Sequence, residues 1–308
     1  MLAAACERAG IEFEIYDQGH ASAASRVGAG LVSPLTGRRL VPTWRFPEWR
    51  DRVLQIYRRW EEELELSFVR EMAIRRLYRD VAQRELFETR MSVPEVSAWV
   101  VTSDAVGIGM TGAIQVETGK LIASLRARWK RSGRLREGPV RFGLTDQSVP
   151  TIWCVGAALS EILPIPWRPS RGEIVRGSMH GLDADTVLND GHWLIPSATG
   201  EVKVGSTFDR ENLRLETTAS AQAELVTAAE RLGGRRLRDP VGDVGLRVAV
   251  PDHRPVVGWR DDSRRLGVFG GLAAKGALWA PILAEQWVED QLAGEMIEPE
   301  ARADRFGV

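Results

Sequence analysis

Cysteine is nearly absent: Cys6 and Cys154 are the only two among 308 residues, and both lie in apolar segments. That count excludes the disulfide framework of small secreted domains and favours two buried, reduced thiols in a cytoplasmic protein. The four histidines, His20, His180, His192 and His253, are scattered without metal-ligand spacing, so no zinc or iron site is expected. An excess of either charge is also missing, with 41 Lys and Arg against 42 Asp and Glu and a net charge of -1. A broad nucleic-acid surface needs excess positive charge, so that partner is not expected, although a small basic cleft is not excluded. Long apolar runs are lacking: residues 266–288 form the longest, and they include Lys275, Glu285 and several glycines. A membrane helix needs about 20 apolar residues. The opening MLAAACERAG carries Glu7 and Arg8 and is too short for a secretory signal. Tyrosine is scarce at 3, whereas tryptophan reaches 11. Trp153, Trp279 and Trp287 fit core positions, and Trp193 falls in a β-rich stretch.

What is present reads as α/β. Residues 2–9 resemble the last turns of a helix that stops at Gly10, and residues 11–16 then alternate apolar and polar as a strand does, closing on Asp17. A helix ending in glycine followed by a strand ending in an acid is the second half of a βαβ unit. Residues 49–66 and 121–131 are helical by pattern, and residues 68–80 are expected to be a strand leading into a helix over 81–90. Residues 99–116 read as extended structure. The apolar run at 151–155 suits a buried parallel strand. Short β segments follow at 173–176, 186–188, 192–195 and 202–207, with a hairpin corner at Asn189-Asp190-Gly191. A helix is expected over 219–232, then strand, glycine loop and helix over 267–292. Nucleotide-type pieces at both ends with a β-rich section between them fit two interleaved units.

Three segments could carry chemistry. Asp17 is placed to accept from an adenosine ribose, and a solvated strand-end carboxylate is the alternative. In a full dinucleotide motif that acid follows the glycine cluster by about 20 residues. Counting back from Asp17 runs just past Met1, so the first strand and its G-x-G-x-x-G turn are expected upstream of the sequence. In Ser25-Arg26-Val27-Gly28-Ala29-Gly30-Leu31 the glycines permit close backbone approach to a flat or phosphorylated ligand, while Ser25 and Arg26 supply donors. In residues 270–276 (GGLAAKG) a glycine loop leads into a helix, presenting free amides and a positive dipole end to negative charge. The run Arg235-Arg236 with Arg238 is read as a solvated face, and His253 and Arg254 as structural or solvated.

The stretch YDQGHASAASRVGAGLVSPLTGRR resembles the loop after the second strand in the D-amino-acid oxidase and glycine oxidase family of flavoproteins, Ser25, Ala29, Gly30 and Leu31 matching its S-x-x-x-A-G pattern. Gly245-Leu246-Arg247, followed by Pro251-Asp252-His253-Arg254-Pro255-Val256-Val257-Gly258, is similar to the family's G-L-R-P and D-x-x-P-x-x-G segment, with Val248 where the family usually has proline. Residues 270–278 resemble its terminal glycine loop, and residues 152–156 with Arg171-Gly172-Glu173-Ile174 its mid-chain strand and R-G-x-I turn. Together the matches span residues 2 to about 293.

The resemblance implies a discontinuous Rossmann-like FAD-binding domain (1–45, 117–170 and 240–308) interleaved with a β-rich substrate domain (46–116 and 171–239). It implies FAD as cofactor, bound through Asp17, Ser25, Arg26, Gly28, Ala29, Gly30, Leu31, Gly156, Gly270, Gly271, Leu272, Ala273, Ala274, Lys275 and Gly276. Arg247 would anchor the substrate carboxylate. The implied activity is oxidation of a carbon–nitrogen bond in an amino acid or secondary amine, with oxygen or another acceptor taking the electrons. The alternatives are a family dehydrogenase, an oxidase of the kind that modifies tRNA wobble uridine, and a non-catalytic form that does not retain FAD.

Overall fold

The structure is a computed structural model in which residues 1–19, 23–139, 149–294 and 297–307 are described. At its centre lies the helix Gly276–Ala293, apolar around most of its circumference, with Leu278, Leu283, Ala284 and Trp287 at 1% exposure or less. A helix apolar on every side must be covered on every side. The helix Phe46–Leu64 covers part of it. Pro47 fits its first turn, and Trp49, Val53, Ile56, Tyr57 and Trp60 recur every three or four residues on its buried face. Tyr57 Oη donates to Ala277 O at 2.8 Å, satisfying an otherwise buried hydroxyl. The helix Leu2–Arg8 buries Leu2, Ala4 and Cys6 against the same core.

Among the described residues the strands form three small sheets and one large one. Ile15–Asp17 pairs in parallel with Leu135–Glu137, which follows the helix Thr118–Arg131. Thr151–Trp153 pairs in parallel with Leu266–Gly270, whose other edge is antiparallel to Val256–Trp259. The two-residue strands Leu35–Thr36 and Val41–Pro42 form a minimal hairpin. The large sheet runs in the order Arg238–Ala249, Arg168–Ser178, Glu201–Gly205, Trp193–Pro196, Thr186–Asn189, Val69–Leu77, Gly107–Val116 and Leu31–Val32. Val100–Ser103 also pairs with Gly107–Val116. The helix Ala219–Gly233 packs Leu225, Ala228, Ala229 and Leu232 onto Val175, Leu194, Val202 and Val204 of this sheet.

The mixed α/β expectation holds, and most elements fall where the pattern places them. The Asn189-Asp190-Gly191 corner joins Thr186–Asn189 to Trp193–Pro196, with Gly191 at φ 118°. Differences occur where pairing rather than pattern decides. Of residues 11–16 only the end becomes strand, because Leu135–Glu137 offers partners to Ile15, Tyr16 and Asp17 alone. The 12-residue strand Arg238–Ala249 has no apolar alternation in its first half and contains Pro240, Gly242 and Gly245. Its pairing with Arg168–Ser178 makes it a strand. Cys6 is buried as expected, but Cys154 is exposed, because the buried part of its apolar run ends at Trp153. Among the described residues no helix is long and apolar enough to cross a membrane.

Candidate active site

The strand Arg238–Ala249 is the meeting line of the segments singled out in the sequence. Ala23 bridges to Leu246, and the short helix Ala24–Val27 lies against Gly245. A Cβ at Gly245 would stand 3.1 Å from Ala24 Cα, so only glycine admits this approach without displacement. Two residues further along the strand is Arg247. One residue beyond it, Val248 O accepts from Ala273 N at 3.1 Å, which fastens the loop 270–276 to the same strand. The single-turn helix Gly156–Ala158 packs there too. Residues 24–31, 156, 247 and 270–276 are thus drawn together. Asp17 is not: its carboxylate pairs with Arg126 and accepts from Gly19 N at 2.7 Å, and no described contact joins it to this group.

Arg247 is half-buried and has no acidic partner among the described residues. Its Nε donates to Ser170 Oγ at 3.2 Å across the strand pair in which the two residues face each other. Its guanidinium carbon lies 5.2 Å from the Phe208 ring centre, within cation–π range. Beneath it is Gly172, where a Cβ would sit 3.7 Å from the terminal nitrogen. Burial pushes the Arg247 pKa down from its ordinary value, yet an arginine stays protonated at any physiological pH. A desolvated, permanently charged fork with available N–H groups has the chemistry to hold a carboxylate bidentately.

Phe208 is held over Arg247 by a buried ion pair. Arg171 and Glu173 meet at 2.6 Å with side-chain exposures of 4% and 0%. Arg171 Nε donates to Arg214 O at 2.7 Å, and its Nη2 donates to Glu216 O. The Glu173 carboxylate accepts from Thr218 N and Thr218 Oγ1, each at 2.9 Å. Both carboxylate oxygens of Glu173, and Nε and Nη2 of Arg171, therefore have partners, the condition under which a buried pair is tolerated. These bonds bind residues 207–218 to the strand edge.

On the other side, Gln115, 1% exposed, donates from Nε2 to Ala29 O at 3.3 Å. Its Oε1 accepts from Arg70 at the same distance, so one side-chain chain fixes the carbonyl between Gly28 and Gly30. Gly30 has φ 65°, and a Cβ there would stand 1.7 Å from Val116 O. Ser25 and Arg26 are exposed on the short helix that this packing positions.

The loop 270–276 ends at the N-terminus of Gly276–Ala293, where the amides of Gly276 and Ala277 have no backbone acceptor among the described residues. Lys275 keeps part of its side-chain surface, but crowding around its ammonium lowers its pKa to about 8, and no anion among the described residues pairs with it. Unpaired amides, a desolvated ammonium and glycine-lined backbone fit a flat, anionic group such as a flavin. The sequence reading missed Gln115, Arg70, Ser170 and Phe208, and it noticed Arg171 and Glu173 only as part of a turn. A surface cavity of about 400 Å³ lined by Arg38, Arg79, Asp80 and Leu86 lies elsewhere and holds none of these residues.

This arrangement is that of a flavin-dependent oxidoreductase, with a desolvated arginine beside its glycine loops. The model of the FAD dependent oxidoreductase family (DAO) matches residues 1–289, and the chain belongs to that family. Its cofactor is accordingly FAD. The chain is 30% identical over 309 residues to the tRNA 5-methylaminomethyl-2-thiouridine biosynthesis bifunctional protein of Maricaulis maris, covering 95% of this chain and 50% of that protein. It is 27% identical to the protein of the same name from Caulobacter vibrioides, covering 93% and 51%. The chain spans about half the length of these curated relatives. Among solved structures, iminodiacetate oxidase of a Chelativorans species superposes with a TM-score of 0.75 at 22% identity, covering 96% of this chain and 94% of that one. Glycine oxidase from Bacillus cereus gives 0.78 at 15%, covering 97% and 95%. At such identities the likeness establishes a shared fold.

Proposed function

We propose that the chain oxidises the carbon–nitrogen bond of an amino acid or N-substituted glycine. The guanidinium of Arg247, set between the glycine loops without an acidic partner among the described residues, is the observation that carries this reading. FAD, held by these glycine loops, would supply the two-electron acceptor for oxidation of the substrate carbon–nitrogen bond to an imine, which water hydrolyses. The chain's own residues position and exclude. Arg247 takes the carboxylate bidentately, and Ser170 and Phe208 fix the plane of its fork. The amides of Gly276 and Ala277, with Lys275, supply positive potential where reduction places negative charge. Ser25, Arg26, Gly28, Ala29, Gly30 and Leu31 line the cofactor phosphates in this reading, and Asp17 turns a remaining lone pair to the ribose. Residues 1–45, 117–170 and 240–308 form the cofactor-binding portion. The iminodiacetate and glycine oxidase folds support an amine-oxidising chemistry. The test is anaerobic: the FAD-loaded chain is mixed with glycine, sarcosine, iminodiacetate or a D-amino acid and the flavin absorbance followed. Bleaching with at least one of them is expected. A chain that stays colourless with added FAD, or a flavin that none of these amines bleaches, overturns the reading.

The similarity to half of the bifunctional tRNA-modifying proteins favours a second reading, in which the amine is carried on a tRNA uridine. Bleaching by tRNA bearing an aminomethylated uridine, at concentrations where free amines are inert, selects it over the first.

A further inference from the structure

Phe208 stands within cation–π range of two guanidinium groups. Arg247 stands 5.2 Å from its ring centre and Arg210 5.1 Å, so the two cationic carbons are no more than about 10 Å apart. The position of Arg210 is built rather than incidental. Asp209, between Phe208 and Arg210, is fixed to the strand edge by two backbone bonds, Arg171 N to Asp209 O at 2.7 Å and Asp209 N to Arg171 O at 3.0 Å. The Asp209 carboxylate closes the following turn by accepting from Glu211 N at 2.8 Å and Asn212 N at 3.1 Å. Pinning Asp209 fixes where its two neighbours leave the chain, and the guanidinium groups of Arg210 and Arg247 both reach the Phe208 ring. Phe208 is 58% exposed and belongs to none of the buried clusters of the described residues, so its ring is open to a ligand as well as to the two arginines. Arg210 has no hydrogen-bonding or ionic partner among the described residues.

We propose that Phe208 and Arg210 are specificity-determining residues that select substrates carrying a second anionic group beyond the amine. The inference rests on Arg247 holding the α-carboxylate. The ring then forms the wall along which the rest of the substrate runs, and Arg210 meets the second anion at the outer edge. Two like charges held on one ring, with no acid paired to either among the described residues, repel one another, and a dianion spanning them relieves that repulsion at both ends. The second anion is a carboxylate or a phosphate, since a guanidinium fork accepts both.

Direct binding tests this apart from turnover. The chain with excess FAD is titrated calorimetrically with propionate, with thiodiacetate, in which sulfur replaces the amine, and with 3-phosphonopropionate. For wild type, one or both dianions bind at least about tenfold tighter than propionate, and R210A brings that ratio close to one. A preference for thiodiacetate identifies a carboxylate as the second group, and one for the phosphonate a phosphate. R247A abolishes binding of all three. If R247A weakens every probe but R210A leaves the ratio unchanged, the inference about Arg210 falls and the anchor stands. If R247A leaves propionate binding intact, or wild type binds none of the three, both fall.

Discussion

Ser170 and Arg247 face each other across adjacent antiparallel strands, and the serine Oγ accepts from the arginine Nε at 3.2 Å. That single bond orients the fork while leaving its outer N–H groups available. R247A should therefore lower kcat/KM for an amino-acid substrate by roughly 10²–10³, the cost of about two charge-assisted hydrogen bonds. S170A removes only the orienting partner and should cost about fivefold, with R247K closer to R247A than to wild type because an ammonium lacks the fork. Stopped-flow flavin reduction reads all three. Equal losses for S170A and R247A would contradict the division between anchor and positioning residue.

Glu173 is 0% exposed and shares its carboxylate among Arg171 and both polar groups of Thr218. E173A leaves Arg171 buried and uncompensated, so it should destabilise the fold by about 3–5 kcal/mol. The R171M/E173L double variant removes both charges and should recover much of that loss. Urea denaturation of the three proteins checks the order. A single variant as stable as the double one would mean that the pair does not carry the loop.

Much of this site was legible because glycine spacing and helix ends are local signals. The loop 25–31 and the loop 270–276 announce themselves by residues that permit close backbone approach, and Arg247 by its neighbours in sequence. The elements that fasten them together were not legible. Strand Arg238–Ala249 gains its conformation from Arg168–Ser178, a partner about 70 residues away whose register no local pattern encodes. Gln115 looks like any polar residue near a strand end, and only the fold reveals that it is buried against Ala29. Phe208 is similarly silent, because its role depends on Asp209 being pinned by Arg171. Asp17 shows the opposite case: its position at a strand end was read correctly, but the ion pair with Arg126 depends on a helix more than a hundred residues away.

Gly30 and Gly37 form a controlled comparison. Both have positive φ, 65° and 67°, but an added Cβ meets Val116 O at 1.7 Å in the first and nothing within 4 Å in the second. G37A should cost only the left-handed backbone penalty, about 1–2 kcal/mol, and lower Tm by a few degrees. G30A adds a clash with backbone that cannot rotate away, so it should cost several kcal/mol more and displace the segment next to Ala29. Tm and FAD affinity are measured together. Similar Tm losses for the two variants would show that the Gly30 approach to Val116 is not tight in solution.

Lys275 gives the pH dependence. Its pKa falls to about 8 in the folded chain because burial penalises the ammonium, whereas the unfolded chain keeps the ordinary value of about 10.4. Between those two values the unfolded state binds more protons than the folded one, so this residue makes stability rise with pH across that window. Below about pH 8 both states are protonated and the full burial penalty is present without further slope. K275M, which keeps the stem and removes the charge, should therefore be more stable than wild type at pH 7, with the difference shrinking as pH rises from about 8 toward 10. Urea midpoints of the two proteins at four pH values isolate the effect, because every other titrating group is common to both. The same charge should matter to the cofactor: FAD binding by wild type weakens as pH rises through about 8, and K275M shows no such step. A wild-type minus K275M difference independent of pH would mean that the Lys275 ammonium is solvated rather than crowded.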